Sequence, residues 1–214
     1  LAGVLQLQAQ IKGDPTFPSV RFSGRGSDIA WADSLRTGSL TVDGLVAPEG
    51  PMDLTLDLTD IRGAATVTAL HTELRGRTGD HTLSLTATLP QGALEVRLAG
   101  ALDAETLAWA GQLTRADLKP DRLPALVLRA PADLRLSATA SALAPACWDS
   151  DPSSQIGLCL NADVAPGRTR ARVELERFDY GVIATFLPPR WRLEGEMAGH
   201  VDVAIDDGGP TRLD

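Results

Sequence analysis

The chain has 214 residues, enough for one large domain or two small ones, and its 43% hydrophobic content with only 4% aromatics calls for an interior of Leu, Val and Ala. A formal net charge of -8 without any run of Lys or Arg lacks the footprint of a nucleic-acid binder. No stretch reads as a membrane span or a signal peptide, and a chain that opens on Leu1 in mid-pattern is expected to be a piece of a longer protein.

In chain order, "LAGVLQLQAQIKG" alternates apolar and polar residues, and the first fifty residues keep only a loose β rhythm, clearest in "SLTVDGL" at 39–45. Period two is then strict: Leu54, Leu56 and Leu58; Leu83, Leu85 and Ala87; Leu94, Val96 and Leu98; Leu134, Leu136 and Ala138; Leu158, Leu160 and Ala162; Val173 and Leu175; Val201, Val203 and Ile205. Such alternation gives each strand one apolar and one polar face, as in an antiparallel sheet wetted on one side. Turn signals recur at roughly 8–12 residues, as in "RGRTGDH" at 75–81, "PQGA" at 90–93 and "DDGG" at 206–209, and predict hairpins and meanders. Two stretches differ. Residues 115–131 carry three prolines in an apolar context and predict an irregular crossover. Phe178, Val182, Ile183, Phe186 and Leu187 fall at helical spacing before Pro188 and Pro189, which predicts one short amphipathic helix near 178–187 capping a sheet end, with Trp191 beside it.

The two cysteines flank the polar loop "DSDPSS". Cys159 lies between Leu158 and Leu160, so it points away from the apolar face of its strand. A Cys147–Cys159 bond clipping the hairpin from outside suits cross-strand Cβ spacing and an oxidising compartment; two free thiols in a reducing one are the alternative.

No catalytic or metal site is expected. His71, His81 and His200 occur in no ligand-spaced motif, and two histidines on the polar face of a hairpin around 75–80 read as solvated. Asp149 with Asp151, and Asp206 with Asp207, lie in turns, where Asp serves local backbone bonds. No nucleophile elbow, phosphate loop or dinucleotide fingerprint is present, so neither an enzymatic role nor a cofactor is expected.

One order of features resembles a known family. "HTLSLTATLPQGALEVRLAGALDAETLAWAGQLTRADL", then "LRAPADLRLSA", the paired-cysteine hairpin with "LCL", and "FDYGVIATFLPPRWRLEGEMAG" are similar to the TamB and AsmA-like envelope proteins of Gram-negative bacteria, over about residues 60–200. The most specific parts are G-x-H-x-L-x-L at 79–85, W-x-G-x-L at 109–113 and PA-x-L at 131–134. The resemblance, taken as one to a C-terminal-region type of segment, implies a continuous periplasmic portion, residues 1–214, of a long protein anchored in the inner membrane. It implies a non-enzymatic role in phospholipid transport between the two membranes, in outer-membrane protein assembly, or in both. Acyl chains, adjoining segments of the same chain and an outer-membrane barrel assembly protein are the implied partners.

The alternation predicts an all-β fold whose row of leucines needs a cover, from a second sheet, a closed barrel or a lipid, and the resemblance implies an elongated antiparallel sheet curled into a hydrophobic trough. Leu83, Leu85, Leu94, Val96, Leu98, Leu134, Leu136, Leu158, Leu160, Val173 and Leu175 are the expected lipid-contacting residues. The alternative is a self-contained β-sandwich that binds protein or carbohydrate through its loops.

Overall fold

The computed structural model describes residues 2–13, 18–31, 35–47, 50–151, 155–184, 186–188, 190–206 and 212–213. Nearly all of them are in antiparallel strands, in two compact units, residues 1–104 and 105–214. The turn positions at 152–154 and 207–209 lie outside the described residues.

The first unit runs β1 (Ala2–Lys12), β2 (Ser19–Trp31), β3 (Leu35–Val46), β4 (Met52–Arg62), β5 (Thr66–Arg77), β6 (Asp80–Leu89) and β7 (Gly92–Leu102), each antiparallel to the next. The joins fall where the sequence places turn residues. Thr78 and Gly79 link β5 to β6, and Pro90 and Gln91 link β6 to β7. Gly76 (φ 134°) and Gly92 (φ 149°) supply backbone that a Cβ disfavours. Each described strand here pairs with its sequence neighbours in the sheet, and among the described residues of the unit Gly24, His81 and Ala87 are buried.

The second unit contains β8 (Trp109–Pro120), β9 (Ala125–Leu128), β10 (Ala132–Leu136), β11 (Ser141–Asp151), β12 (Ile156–Ala165), β13 (Arg168–Asp179), the one-turn helix α1 (Gly181–Ala184), β14 (Glu196–Asp206) and β15 (Arg212–Leu213). Both β9 and β10 pair with β8 on one side and β11 on the other. They are one strand interrupted at 129–131, where Pro131 has no N–H to give to a ladder.

This corrects the expected crossover at 115–131. Pro120 ends β8, Pro124 lies in the turn and Pro131 opens the break, so the prolines punctuate a sheet and do not leave it. The expected helix near 178–187 shrinks to Gly181–Ala184, because Phe178 and Asp179 continue β13, where Phe178 pairs with Met197. Asp179 Oδ1 accepts the Gly181 N–H at 2.7 Å, and Val182 is buried. Trp191 stands 70% exposed, unlike the packed side chain expected beside the helix. After β14, β15 pairs with it at Val203 and Ala204.

Candidate functional site

Cross-strand register turns the period-two pattern into continuous rows. In the first unit Leu7, Gly24, Val42, Leu56, Thr72, Leu85 and Val96 are successive partners across all seven strands. Ala9, Phe22, Gly44, Leu54, Leu74, Leu83 and Leu98 form the next row, and Leu5, Gly26, Leu40, Leu58, Leu70, Ala87 and Leu94 the one on the other side. At a strand spacing of about 4.8 Å, such a row is roughly 29 Å long.

The glycines keep this face filled. A Cβ on Gly24 would lie 2.5 Å from Leu7 Cδ2 and 2.9 Å from Val42 Cγ1; one on Gly26 would meet Ile29 Cδ1 at 2.5 Å, and one on Gly44 would overlap the Phe22 ring. Large neighbours lie down over residues that have no side chain.

In the second unit Leu134, Leu143, Ala162, Ala171 and Val203 are successive partners, as are Ala146, Leu160, Val173 and Val201. Trp148, Leu158, Leu175 and Gly199 form a third row, and Leu136 pairs with Ser141. The eleven aliphatic residues singled out from the sequence thus fall on the apolar face of the sheet of their own unit, and none of them is fully buried; Val173 stays 38% exposed. Leu5, Leu7, Phe22, Leu40 and Val42 belong to the same face but were missed. Their signal is the same alternation, hidden in β2 and β3 because Gly24, Gly26 and Gly44 occupy apolar positions.

A small packed centre holds the second unit where β8 meets the broken strand. Leu113, Ala116, Ala132, Ala146 and Ile156 are buried there, Ala146 completely. Trp148 Nε1 donates to the Ala116 carbonyl at 2.7 Å, and Ser150, 2% exposed, accepts the Ile156 N–H at 2.9 Å. Ala116 lies between the stretches of β8 that pair with β10 and with β9, so the indole serves a carbonyl that the ladder leaves over.

The opposite faces are polar. Cys147 and Cys159 are direct partners, bonded, with Cα atoms 4.0 Å apart. Beside them Arg129, in the gap between β9 and β10, gives two 2.8 Å hydrogen bonds to Asp149 and one of 2.6 Å to Glu176. The clasp crosses β12 over Gly157, where a Cβ would lie 3.3 Å from Glu176 Oε2. The Arg129 guanidinium holds the Asp149 carboxyl below its ordinary range, and the two carboxylates push Arg129 up. The Glu176 carboxylate is close to both sulfurs, but bonded cysteines offer no thiolate, so the trio is not a metal-ligand set.

In the first unit His71 lies between Asp57 (Nδ1 to Oδ1, 2.7 Å) and Glu73 (Nε2 to Oε1, 3.3 Å), and the Asp57 hydrogen bond raises its pKa. His81 corrects the expectation of two polar-face histidines. It shares the parity of Leu83 and Leu85, pairs with Gly76 and Gly100, and is buried with Nδ1 3.0 Å from the Arg77 carbonyl.

Open hollows flank the first four strands. One of about 440 Å³ on the polar side is lined by Gln8, Gln10, Arg21, Ser23, Asp43 and Asp53, among others. Another of about 550 Å³ lies beyond the leucine rows and includes Asp28, Arg36, Gly38, Asp60 and Arg62. No described helix is long and apolar enough to cross a membrane.

A family model described as "TamB, N-terminal domain" matches residues 1–213. It takes in the first fifty residues as well as the 60–200 stretch, and it is an N-terminal type where the sequence resemblance was assigned to a C-terminal one. No solved structure matches the chain.

Proposed function

This chain belongs to the TamB family, and from that premise we propose that its apolar sheet faces carry phospholipid acyl chains between the inner and outer membranes in support of outer-membrane protein assembly. The family is an envelope transport and assembly component, and no enzymatic step is part of the proposal. The supporting observation is the set of leucine-rich rows that cross seven successive strands, with none of their leucines fully buried. An aliphatic lining offers an acyl chain contact everywhere and a fixed polar anchor nowhere, which suits a ligand that must move. One leaflet of a roughly 30 Å hydrocarbon core is about 15 Å deep, so an extended acyl chain fits within one row.

The proposed setting is the periplasm, in a longer protein anchored in the inner membrane, with adjoining segments of that protein and an outer-membrane barrel assembly protein as partners. Lipid extraction and native mass spectrometry of the chain purified from a bacterial envelope test the proposal. Bound phospholipid at defined stoichiometry is the expected result. A chain that carries none, and takes none from vesicles, would exclude it.

A further inference from the structure

The leucine rows of the first unit run out at one end of β1–β4 into four charged residues. Arg36 and Arg62 are direct cross-strand partners, and like charges placed opposite one another repel. Both are exposed, and neither has an ion-pair partner among the described residues. Alternation along β3 and β4 puts them on the face that carries Leu40 and Leu58.

One step nearer the leucines, Gly38 lies in register between Asp28 on β2 and Asp60 on β4, flanked by the Ser27–Ser39, Ile29–Thr37 and Ser39–Thr59 pairs. Both aspartates adopt left-handed backbone, φ 50° and 51°. Two non-glycine residues in that region at the same height on strands either side of β3 form a local device, not scatter. The Asp60 side chain leans over Gly38, whose Cβ would lie 3.0 Å from Asp60 Cβ and 3.1 Å from Oδ2. All four charged side chains border the 550 Å³ hollow.

Two guanidiniums and two carboxylates around one hollow, at the edge of an aliphatic face, match a zwitterion on an apolar tail. We infer that this hollow is a head-group site for a phosphoethanolamine-type phospholipid, with the phosphate on Arg36 and Arg62, the ammonium on Asp28 and Asp60, and the acyl chains on the leucine rows. Guanidiniums bind phosphate through paired charge-assisted hydrogen bonds, and an ammonium offers three donors to carboxylates. A purely anionic head group would satisfy the arginines and be repelled by the aspartates. The inference rests on the acyl-chain reading above and adds which lipid is held and how it is oriented.

The test uses the full chain, stripped of lipid, titrated with dioctanoyl phosphatidylethanolamine, dioctanoyl phosphatidylglycerol, dioctanoylglycerol and the soluble glycerophosphoethanolamine. The phosphatidylethanolamine should bind about tenfold or more tighter than dioctanoylglycerol, the scale of a charge-assisted contact, and tighter than the phosphatidylglycerol. R36Q/R62Q should bring it down to the dioctanoylglycerol level and leave dioctanoylglycerol unchanged. D28N/D60N, which keeps side chains that tolerate the left-handed backbone, should reverse the preference between the two phospholipids. Equal binding of phosphatidylethanolamine and dioctanoylglycerol to the wild type would overturn the head-group site and leave the acyl-chain reading standing. So would a wild-type preference for phosphatidylglycerol, or no response to R36Q/R62Q. Tight binding of glycerophosphoethanolamine would point to a soluble ligand and overturn the lipid assignment. Failure of all three dioctanoyl compounds to bind would sink both readings.

Discussion

The indole Nε1 of Trp148 on β11 reaches the carbonyl of Ala116 on β8, at 2.7 Å, across the interruption between β9 and β10. The bond makes Trp148 a repair for the loss of ladder pairing at Pro131. Trp148→Phe keeps an aromatic ring and removes the donor, leaving a mostly buried carbonyl unsatisfied. It is expected to cost about 1–2 kcal/mol, the penalty for a stranded polar group, read as a lower urea midpoint in far-UV circular dichroism. An unchanged midpoint would mean that water takes over the carbonyl.

The Cys147–Cys159 bond closes a loop of sequence separation 12, which chain-entropy reasoning values at roughly 3 kcal/mol. Protein isolated from an oxidising compartment should gain no mass on alkylation without reductant. Reduction, or the double alanine variant, should lower the denaturation midpoint of the second unit. Two alkylated thiols in the unreduced protein would contradict the bond.

Two ion-paired groups give pH effects of opposite sign. Asp149 has its native pKa depressed by Arg129, so the stability it contributes is present above the ordinary aspartate value and is lost as pH falls through the depressed one. His71 has its native pKa raised by Asp57, so its contribution is full below the ordinary histidine value and is lost as pH rises through the raised one. Denaturation midpoints followed against pH should lose the acid-side slope in Arg129→Gln and the near-neutral slope in His71→Gln. A histidine titration by NMR that gave His71 an ordinary or lowered value would refute the second assignment.

Leu85→Arg or Leu160→Arg places a charge on the apolar face, whereas Ser84→Arg and Asn161→Arg put the same side chain on the polar one. The first pair is expected to abolish lipid recovery with the chain still folded, since an unpaired charge among aliphatic contacts is costly. The second pair should keep lipid recovery and shift stability by only about 0.5 kcal/mol or less. Equal loss from both faces would argue against one-sided use of the sheet.

Strand β1 is exposed along its whole length and pairs with β2 on one side only among the described residues. Unpaired strand edges template further strands. The chain is therefore expected to self-associate with rising concentration in sedimentation experiments. A proline at either Leu7 or Gln8, whichever directs its N–H away from β2, should suppress this while its neighbour disrupts β1 itself. Strict monomer at high concentration would show that the edge is protected.

The parts of the fold legible in the sequence are those governed by alternation. Leu83, Leu85, Leu94, Val96 and Leu98 announce their face because every second residue is aliphatic, and Cys159 could be placed on the opposite face by parity alone. Parity also held His81, which is on the leucine face; residue type suggested solvent, while its glycine neighbours Gly76 and Gly100 give it room to be buried. The prolines misled because the rule against proline in a ladder holds only where an N–H is needed, and Pro120, Pro124 and Pro131 occupy an end, a turn and a break. The helical spacing of Phe178, Val182 and Phe186 lost to strand pairing, since Phe178 gains Ile156 and Met197 as partners. The Arg36–Arg62 pair was beyond reach of sequence, because twenty-six positions separate residues that only register makes adjacent.

The neighbour-only connectivity of the first unit has a kinetic meaning. When each strand pairs only with the one before and the one after, the energetics approach those of a linear array of coupled hairpins. Such an array can nucleate at any well-formed turn, Thr78–Gly79 for instance, and zip outward in both directions. It has no single closing event on which all strands depend. Loss of order then begins at β1 and retreats strand by strand, so amide exchange should grade from fast at the edge to slow at β5 and β6. Adding or removing a hairpin changes the length of the array without disturbing the packing of the strands that remain.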